Sequence, residues 1–317
     1  RHKLSVGTEY IVDVLKSQTD NIAKEEAYTL ALFAQDEIKL LRNLQALIGV
    51  RYIYHENFKN HATPNVALMY KPGKFNFRAS YAAGFRTPTL SELYATDIAK
   101  KNDRLTIGNL DLKPEKNDYF SLSAEYVHER FSVSVNAFYN NIRDMIDYNT
   151  IATGDKAMEQ YGHKEVRQRD NIAEAKVYGI NVSANAYLGA GFNLSGGYTH
   201  LNTQDVELEQ PIDKSIKNAY NINAQWAHSW KIYRLNINLN GRFNSKRFSK
   251  SYGYAPEYQL WDLNTRHSFN LKSVIIEPGC GMENLFDYMD DRPYNSNYAT
   301  LTPGRSFYIS LSLKFKS

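Results

Sequence analysis

The sequence predicts an all-β fold, an antiparallel transmembrane β-barrel with about fourteen strands in its 317 residues. Three observations predict it. Apolar and polar residues alternate with period two over long segments, as strands with one greasy and one wet face do. The connections between those segments are alternately minimal and long. The chain carries 24 Tyr, 15 Phe and 3 Trp, and aromatic residues enrich where hydrocarbon meets water.

The C-terminal stretch "GRSFYISLSLKFKS" shows the alternation. Phe307, Ile309, Leu311, Leu313 and Phe315 share one side, and Ser306, Tyr308, Ser310, Ser312 and Lys314 share the other. The same pattern recurs in "KFNFRASYA", "YFSLSAEY", "FSVSVNAFY", "INVSANAYL" and "RLNINLNGR", whose wet faces are Ser, Asn and Arg. Strands of soluble proteins average about 5–6 residues. These reach ten or more, the length that a tilted strand needs to cross a hydrocarbon layer.

Strands are expected near 3–13, 27–38, 44–55, 65–72, 74–86, 117–128, 130–148, 169–188, 191–203, 217–231, 232–245, 258–271, 274–287 and 305–316. The run "AYTLALFAQDEIKLL" also fits a helix by periodicity, but the alternation of Tyr28, Leu30, Leu32 and Ala34 favours strand. Short turns are expected at Lys71–Lys74, His128–Arg130, Leu188–Gly191, Trp230–Tyr233 and Leu271–Val274. Long polar loops are expected over Leu15–Glu26, Glu56–Pro64, Thr87–Glu115, Asn149–Val166, Gln204–Ile216, Lys246–Glu257 and Tyr288–Gly304. Short turns on one rim and long loops on the other are the layout of an outer-membrane barrel, with turns and C-terminus periplasmic and long loops extracellular.

Bulk numbers narrow the function classes. Hydrophobic residues are 43% and charged residues 23%, and mean hydropathy is −0.54. No run approaches the roughly 18 apolar residues of a membrane helix, whereas barrel strands are only half apolar. The net charge of +4 is dispersed, which argues against nucleic acid as a partner. Cys280 is the single cysteine, so an intrachain disulfide and a cysteine metal cluster are excluded. Between small residues it reads as a packing residue, not a nucleophile. No metal-ligand spacing, phosphate-cradling glycine loop or nucleophile setting stands out, so neither a resident cofactor nor an enzymatic activity is expected. "RHKLSVGTEY" has no apolar leader core, and the chain is expected to be the later part of a mature, processed or nicked polypeptide.

Two stretches are more specific. The first is "YAAGFRTPTLSELY" with "GNLDLKPEKNDYFSLSAEY", which contains Phe85, Arg86, Pro88, Asn109, Leu112, Pro114 and Glu115. The second is "GCGMENLFDYMDDRPYNSNYATLTPGRSFYISLSLKF", with Asn284, Leu285, Phe286, Asp287 and the late aromatic Phe315. Pro88 and Pro114 bias the residues before them to extended geometry where strands leave and re-enter the membrane. Arg86 and Glu115 read most simply as rim charges outside the hydrocarbon.

In these stretches the chain resembles the TonB-dependent outer-membrane receptors, and the likeness runs along essentially its whole length. The resemblance implies a 22-stranded barrel closed by a plug. Fourteen strands here would be the C-terminal portion, with Arg1 opening the ninth strand and eight strands, the plug and the energy-coupling segment outside it. It also implies import of a scarce, bulky nutrient: an iron–siderophore, haem or cobalamin, that is, a small-molecule metal chelate or corrinoid. The implied partners are outer-membrane lipid and the TonB energy transducer, acting through the plug. A surface lipoprotein is also admitted.

The likeness has departures. Lys316 and Ser317 follow Phe315, where the family usually ends on an aromatic residue. No His lies between Pro88 and Asn109, unlike the haem receptors. His55, His61, His163 and His200 fall in or near expected loops. His163 lies with Tyr161 and Arg167 in "QYGHKEVRQR", where imidazole and phenol could meet haem iron, although a lone loop His is more often only solvated. Arg292, Tyr294 and Tyr298 in the last long loop could meet an anionic chelate or form the aromatic rim. The competing readings are a passive fourteen-stranded channel and a soluble Tyr-rich β-protein.

Overall fold

Alternation builds strands throughout the chain. The computed structural model describes residues 1–18, 22–100, 102–249, 253–290 and 302–316, with the backbone alone at Ala173. Its first half contains β1 (His2–Ser17), β2 (Ile22–Leu41), β3 (Leu44–His55), β4 (Lys59–Tyr70), β5 (Phe75–Arg86), α1 (Leu90–Tyr94), β6 (Thr96–Ala99), β7 (Arg104–Ile107), β8 (Glu115–Val127), β9 (Phe131–Thr153) and α2 (Gly154–Tyr161). The rest contains β10 (Glu165–Gly189), β11 (Phe192–Asp205), β12 (Asn218–Trp230), β13 (Tyr233–Asn244), β14 (Arg247–Ser249), β15 (Gly253–Ala255), β16 (Tyr258–Asn270), β17 (Val274–Glu283) and β18 (Ser306–Phe315).

Fourteen of these strands form one antiparallel wall in the order β1-β2-β3-β4-β5-β8-β9-β10-β11-β12-β13-β16-β17-β18, with β1 and β18 at its two ends. No helix among the described residues is long and apolar enough to cross a membrane. The segment 27–41, which could also be read as a helix, is strand, pairing β1 on one side and β3 on the other.

Register fixes which face each residue takes. Tyr81 opposes Phe120 and Ala79 opposes Leu122, all outward, while Ser80 opposes Ser121 inward. The inward face is stitched by short polar contacts: Ser80 Oγ to Ser121 Oγ at 2.7 Å, Ser134 Oγ to Ser183 Oγ at 2.7 Å and Asn223 Nδ2 to Asn240 Oδ1 at 2.6 Å. Glu9 and Arg51 pair over the small Ala31, and Lys314 Nζ meets Glu277 Oε2 at 2.6 Å. Where an inward aromatic needs room, glycine supplies it: a Cβ on Gly281 would stand 2.4 Å from the Tyr308 ring.

The outward face is apolar and exposed, with Leu122 63% and Ile309 89% accessible. Two aromatic belts bound it. Near the long loops run Tyr10–Tyr28 (6.2 Å between centroids), Tyr28–Tyr54 (5.9 Å), Tyr81–Phe120 (4.9 Å), Tyr139–Tyr178 (6.3 Å) and Tyr198–Tyr220 (4.6 Å). Near the short turns run Phe75–Tyr126 (4.9 Å), Phe192–Trp226 (5.9 Å) and Trp230–Tyr233 (5.5 Å). An apolar band between two aromatic girdles is the signature of a barrel in lipid.

The turns expected to be short are short, but the outer rim differs from expectation. Glu56–Pro64 is not a long loop: only Glu56–Phe58 turn, and Pro64 lies inside β4 opposite Val50. Proline fits because β4 pairs β5 only from Asn65 onward, so its missing N–H costs no ladder bond there. The Leu15–Glu26 and Asn149–Val166 loops shrink as β1, β2, β9 and β10 run on beyond the wall. β9 and β10 have 23 and 25 residues against 12 in β5. At roughly 3.3 Å per residue, the excess amounts to a ribbon of about 40 Å past the rim.

Candidate functional site

The functional elements gather at the outer rim, where the two family-like motifs and the loops meet. In the first motif, Arg86 ends β5 and Glu115 begins β8, in register on the inward face. Arg86 donates Nε to Glu115 Oε2 at 2.8 Å and Nη2 to Glu115 Oε1 at 2.6 Å, a bidentate pair. Its Nη1 donates to Glu92 Oε2 at 2.8 Å. Glu92 is also the N3 residue of α1, where it and Thr89 form a reciprocal capping box. Glu115 Oε1 accepts the backbone N–H of Ile146 at 2.8 Å. One guanidinium therefore ties two strands and a helix start. Burial alone would raise the Glu92 carboxyl, but the Arg86 bonds and the Thr89 N–H overcome it and hold the group below the ordinary carboxylate range.

Around this knot lies the one hydrophobic cluster of fully buried residues among those described: Leu93, Leu112 and Ile146, with Phe58 and Tyr94 packed on it. Pro88 is buried, and Pro114 leads into β8. Phe85 stacks on His61 with centroids 4.2 Å apart. Asn109 donates Nδ2 to the Arg169 carbonyl at 2.9 Å and accepts the Asp111 N–H at 2.9 Å. A Cβ on its neighbour Gly108 would lie 2.5 Å from the Leu93 carbonyl oxygen, so only glycine permits this approach. The first motif is thus a structural clasp.

The second motif is a clasp too. Asn284 and Asp287 take left-handed φ values of 52° and 56°, which Asn and Asp tolerate better than most residues. Asn284 donates Nδ2 to the Tyr288 and Pro303 carbonyls at 2.8 and 3.1 Å and accepts the Tyr288 N–H at 2.8 Å. Leu285 N donates to the Trp261 carbonyl at 2.7 Å, and Asp287 Oδ1 accepts the Arg305 N–H at 2.6 Å. Phe286, 67% exposed, meets Trp261 edge-on. Phe315 closes β18 on the outward face.

Of the candidate ligand contacts, Tyr161, His163 and Arg167 fall together between the end of α2 and the start of β10. His163 is already engaged: its Nδ1 meets Asp103 Oδ1 at 2.8 Å. That hydrogen bond is the main reason the Asp103 carboxyl lies below its usual value. Arg167 Nε donates to Glu165 Oε1 at 2.5 Å. Arg292, Tyr294 and Tyr298 lie outside the described residues. His55 and His61 sit at the facing ends of β3 and β4, not in a loop, and His200 lies in β11. Among the described residues no cluster of His, Cys, Asp or Glu could hold a metal ion.

Sequence reasoning missed the β6–β7 hairpin and its parallel docking, with Arg104 opposite Glu165 on β10. Lys164 N donates to the Asp103 carbonyl at 3.0 Å, and Asn171 Nδ2 reaches the Lys113 and Asp144 carbonyls at 2.9 and 2.6 Å. The segments 87–114 and 154–164 are therefore one folded platform. The alternation of Thr96–Ala99 and Arg104–Ile107 around a polar turn was a readable hairpin signal; its parallel partner sixty residues on was not.

Comparison with known proteins agrees with this architecture. The family described as TonB dependent receptor-like, beta-barrel, matches residues 2–285. An iron-regulated outer membrane virulence protein of Vibrio cholerae serotype O1 is 24% identical over 334 aligned positions, 99% of this chain and 49% of that protein. A ferric enterobactin receptor of Pseudomonas aeruginosa superposes with a TM-score of 0.82 at 20% identity, over 99% of this chain and 51% of its own. A siderophore receptor of Acinetobacter baumannii gives 0.80 at 17% identity, over 99% and 52%. The chain thus spans about half the length of these relatives. An apolar outward band between aromatic girdles, a polar inward face, the two rim clasps and the family match over nearly the whole chain leave one conclusion: this is outer-membrane barrel wall, and the chain belongs to the TonB-dependent receptors, a family of transport receptors.

Proposed function

We propose that this chain forms the C-terminal wall and much of the ligand-facing rim of an importer that takes up a scarce iron chelate of the siderophore class. In this reading the wall is part of a 22-stranded barrel. A plug and eight further strands lie outside the chain, and the TonB transducer supplies the work through the plug. The relatives' twofold greater length and the position of β1 and β18 at open ends of the sheet support it. The hydrated Ser and Asn carpet of the inward face suits a plug held by many weak, water-bridged contacts and remodelled in use.

The observation that carries the reading is the outer platform. Two long loops fold against each other there around a buried cluster, which makes a fixed surface at the mouth on which a bulky ligand can dock. The iron-regulated relative and the siderophore-receptor neighbours favour an iron chelate over haem or a corrinoid. Tyr161 and Arg167, on the platform's outer segment, are the proposed contacts for an anionic chelate, together with Arg292, Tyr294 and Tyr298. His163 serves the platform itself.

The test is growth of a strain lacking the full-length receptor, with ferric siderophore, haem or cobalamin as the defined source. A defect restricted to ferric siderophore, reproduced by deleting the energy transducer, is expected. Normal growth on all three would overturn nutrient import.

A further inference from the structure

The β3–β4 turn carries two histidines that neither the wall nor the clasps account for. His55 closes β3, above the Tyr28–Tyr54 pair of the outer aromatic belt, and His61 lies on β4 opposite Ile53. Between the two strands only Glu56, Asn57 and Phe58 turn. The start of the turn is tied to β2: Glu56 N donates to the Tyr28 carbonyl at 3.0 Å, and Tyr28 N donates to Glu56 Oε2 at 3.2 Å. Phe58 reaches from the turn to the rim and packs on the buried Leu93, Leu112 and Ile146. Through this ring the wall grips the loop 87–114, whose helix α1 lies against β1 and β2.

The two imidazoles hold Phe58 in different ways. His55 is only 4% exposed, its ring is 5.0 Å from the Phe58 ring, and its Nδ1 accepts the backbone N–H of Asn57 at 3.1 Å. An amide N–H can only donate, so this nitrogen is bare and the neutral ring carries its proton on Nε2. His61 Nε2 stands 2.9 Å from the Phe58 carbonyl, which can only accept, so here Nε2 carries the proton and donates. A second proton therefore has opposite consequences. On His61 it goes to Nδ1 and leaves the bond intact. On His55 it goes to the Nδ1 that faces Asn57, sets donor against donor, and places a charge where almost no water reaches.

Burial pushes the His55 imidazole below the ordinary histidine value, aided by His61 on β4 and opposed by Asp13 on β1 and Glu56 on the turn. Lys59, opposite His55 on β4, sends its Nζ to the Glu56 carbonyl at 2.9 Å, and Glu92, the one acid of α1, is held by Arg86.

We propose that His55 is an acid-released latch, whose protonation frees Phe58 from the rim cluster and loosens the platform over the mouth. The closed state keeps the ring neutral, and the open state lets it titrate as an ordinary imidazole. The latch is therefore complete above about pH 6.5 and is lost as pH falls below that, by up to about tenfold in the opening equilibrium per pH unit. This interval lies above the carboxylate range in which Glu92 responds. The opening needs no ligand; that it also weakens ligand docking rests on the import reading.

The experiment follows hydrogen-exchange protection over 87–114 in the full-length receptor, from about pH 7.5 to about pH 5.5, corrected for the intrinsic pH dependence of exchange. Wild type is expected to lose protection by up to about tenfold per pH unit below about pH 6.5, with β8 unchanged. His55→Asn offers an amide oxygen near the Nδ1 position but gains no proton, and should abolish the step. Asp13→Asn removes a counter-charge and should move the step to lower pH, whereas His61→Gln should leave it in place. A step of wild-type size in His55→Asn would overturn the latch, and so would wild-type protection that stays constant down to the carboxylate range. If His55→Asn opens the loop at every pH, an unmoved step in Asp13→Asn overturns it instead. Retention of ferric enterobactin should fall with protection in wild type and hold in His55→Asn; an equal fall in both would sever the latch from docking. No retention at any pH would count against import and leave the latch standing.

Discussion

In the wall, β5 and β8 pair from Phe75–Tyr126 to Arg86–Glu115, and the side chains of both faces stay largely accessible. At the rim, just beyond the ends of these two strands, Leu93 of α1, Leu112 before β8 and Ile146 of the neighbouring β9 are buried and one arginine holds two carboxylates. The wall is a ladder of backbone hydrogen bonds that relies on lipid outside it for its apolar burial. The rim is a small globular core in which residues of α1 and of the segment before β8 pack on the outer part of β9. The two regions should therefore fail differently, and substitutions can separate them.

The largest effect is expected on the lipid face. Leu122→Arg, in the apolar band, should destabilise the receptor in phospholipid vesicles by about 2–4 kcal/mol, while Ser121→Arg, one residue before it and facing inward, should cost far less. Urea unfolding in vesicles measures both, and equal costs would erase the distinction between the faces. Next is Leu112→Ala, which should cost about 2–3 kcal/mol. That loss should appear as faster hydrogen exchange over 87–114, with protection in β5 and β8 unchanged.

Arg86→Ala leaves Glu92 and Glu115 facing each other. Because the guanidinium is 43% exposed, the penalty for breaking a buried pair is discounted to about 1–2 kcal/mol, read as protease cleavage within 87–114. The same knot predicts an acid response. The Glu92 carboxyl is held below its ordinary value. Its contribution is thus complete at neutral pH and is lost as pH falls through and below the carboxylate range. Cleavage of the wild-type loop should rise there, and Arg86→Ala should flatten the rise. The smallest effect belongs to His163→Ala. It removes a partly exposed pair with Asp103, a weak kind of ion pair in water, and should leave ligand uptake intact. Abolished uptake would move His163 from the platform to the ligand.

The strands were readable because each needs only its own residues to show two faces. Phe131, Val133 and Val135 against Ser132, Ser134 and Asn136 declare a strand whatever stands beside it. The sites were less readable. Arg86 and Glu115 could be placed at the rim by their neighbouring prolines, but nothing local shows that Glu92 would join them. Pro64 suggested loop because the edge that tolerates it depends on where β5 stops pairing. His163 read as a lone loop His, more often only solvated, because its partner Asp103 arrives through a hairpin docked sixty residues earlier in the chain.

Sequence alone determined the class of fold, the strand positions, the membrane-facing side of each strand and the rim that carries the long loops, because period two and turn chemistry are local properties. Tertiary structure decided which loops fold together and which charges are spent on the clasps. Those outcomes depend on register between strands far apart in the chain, and a shift of a single residue would have turned each of these side chains to the opposite face.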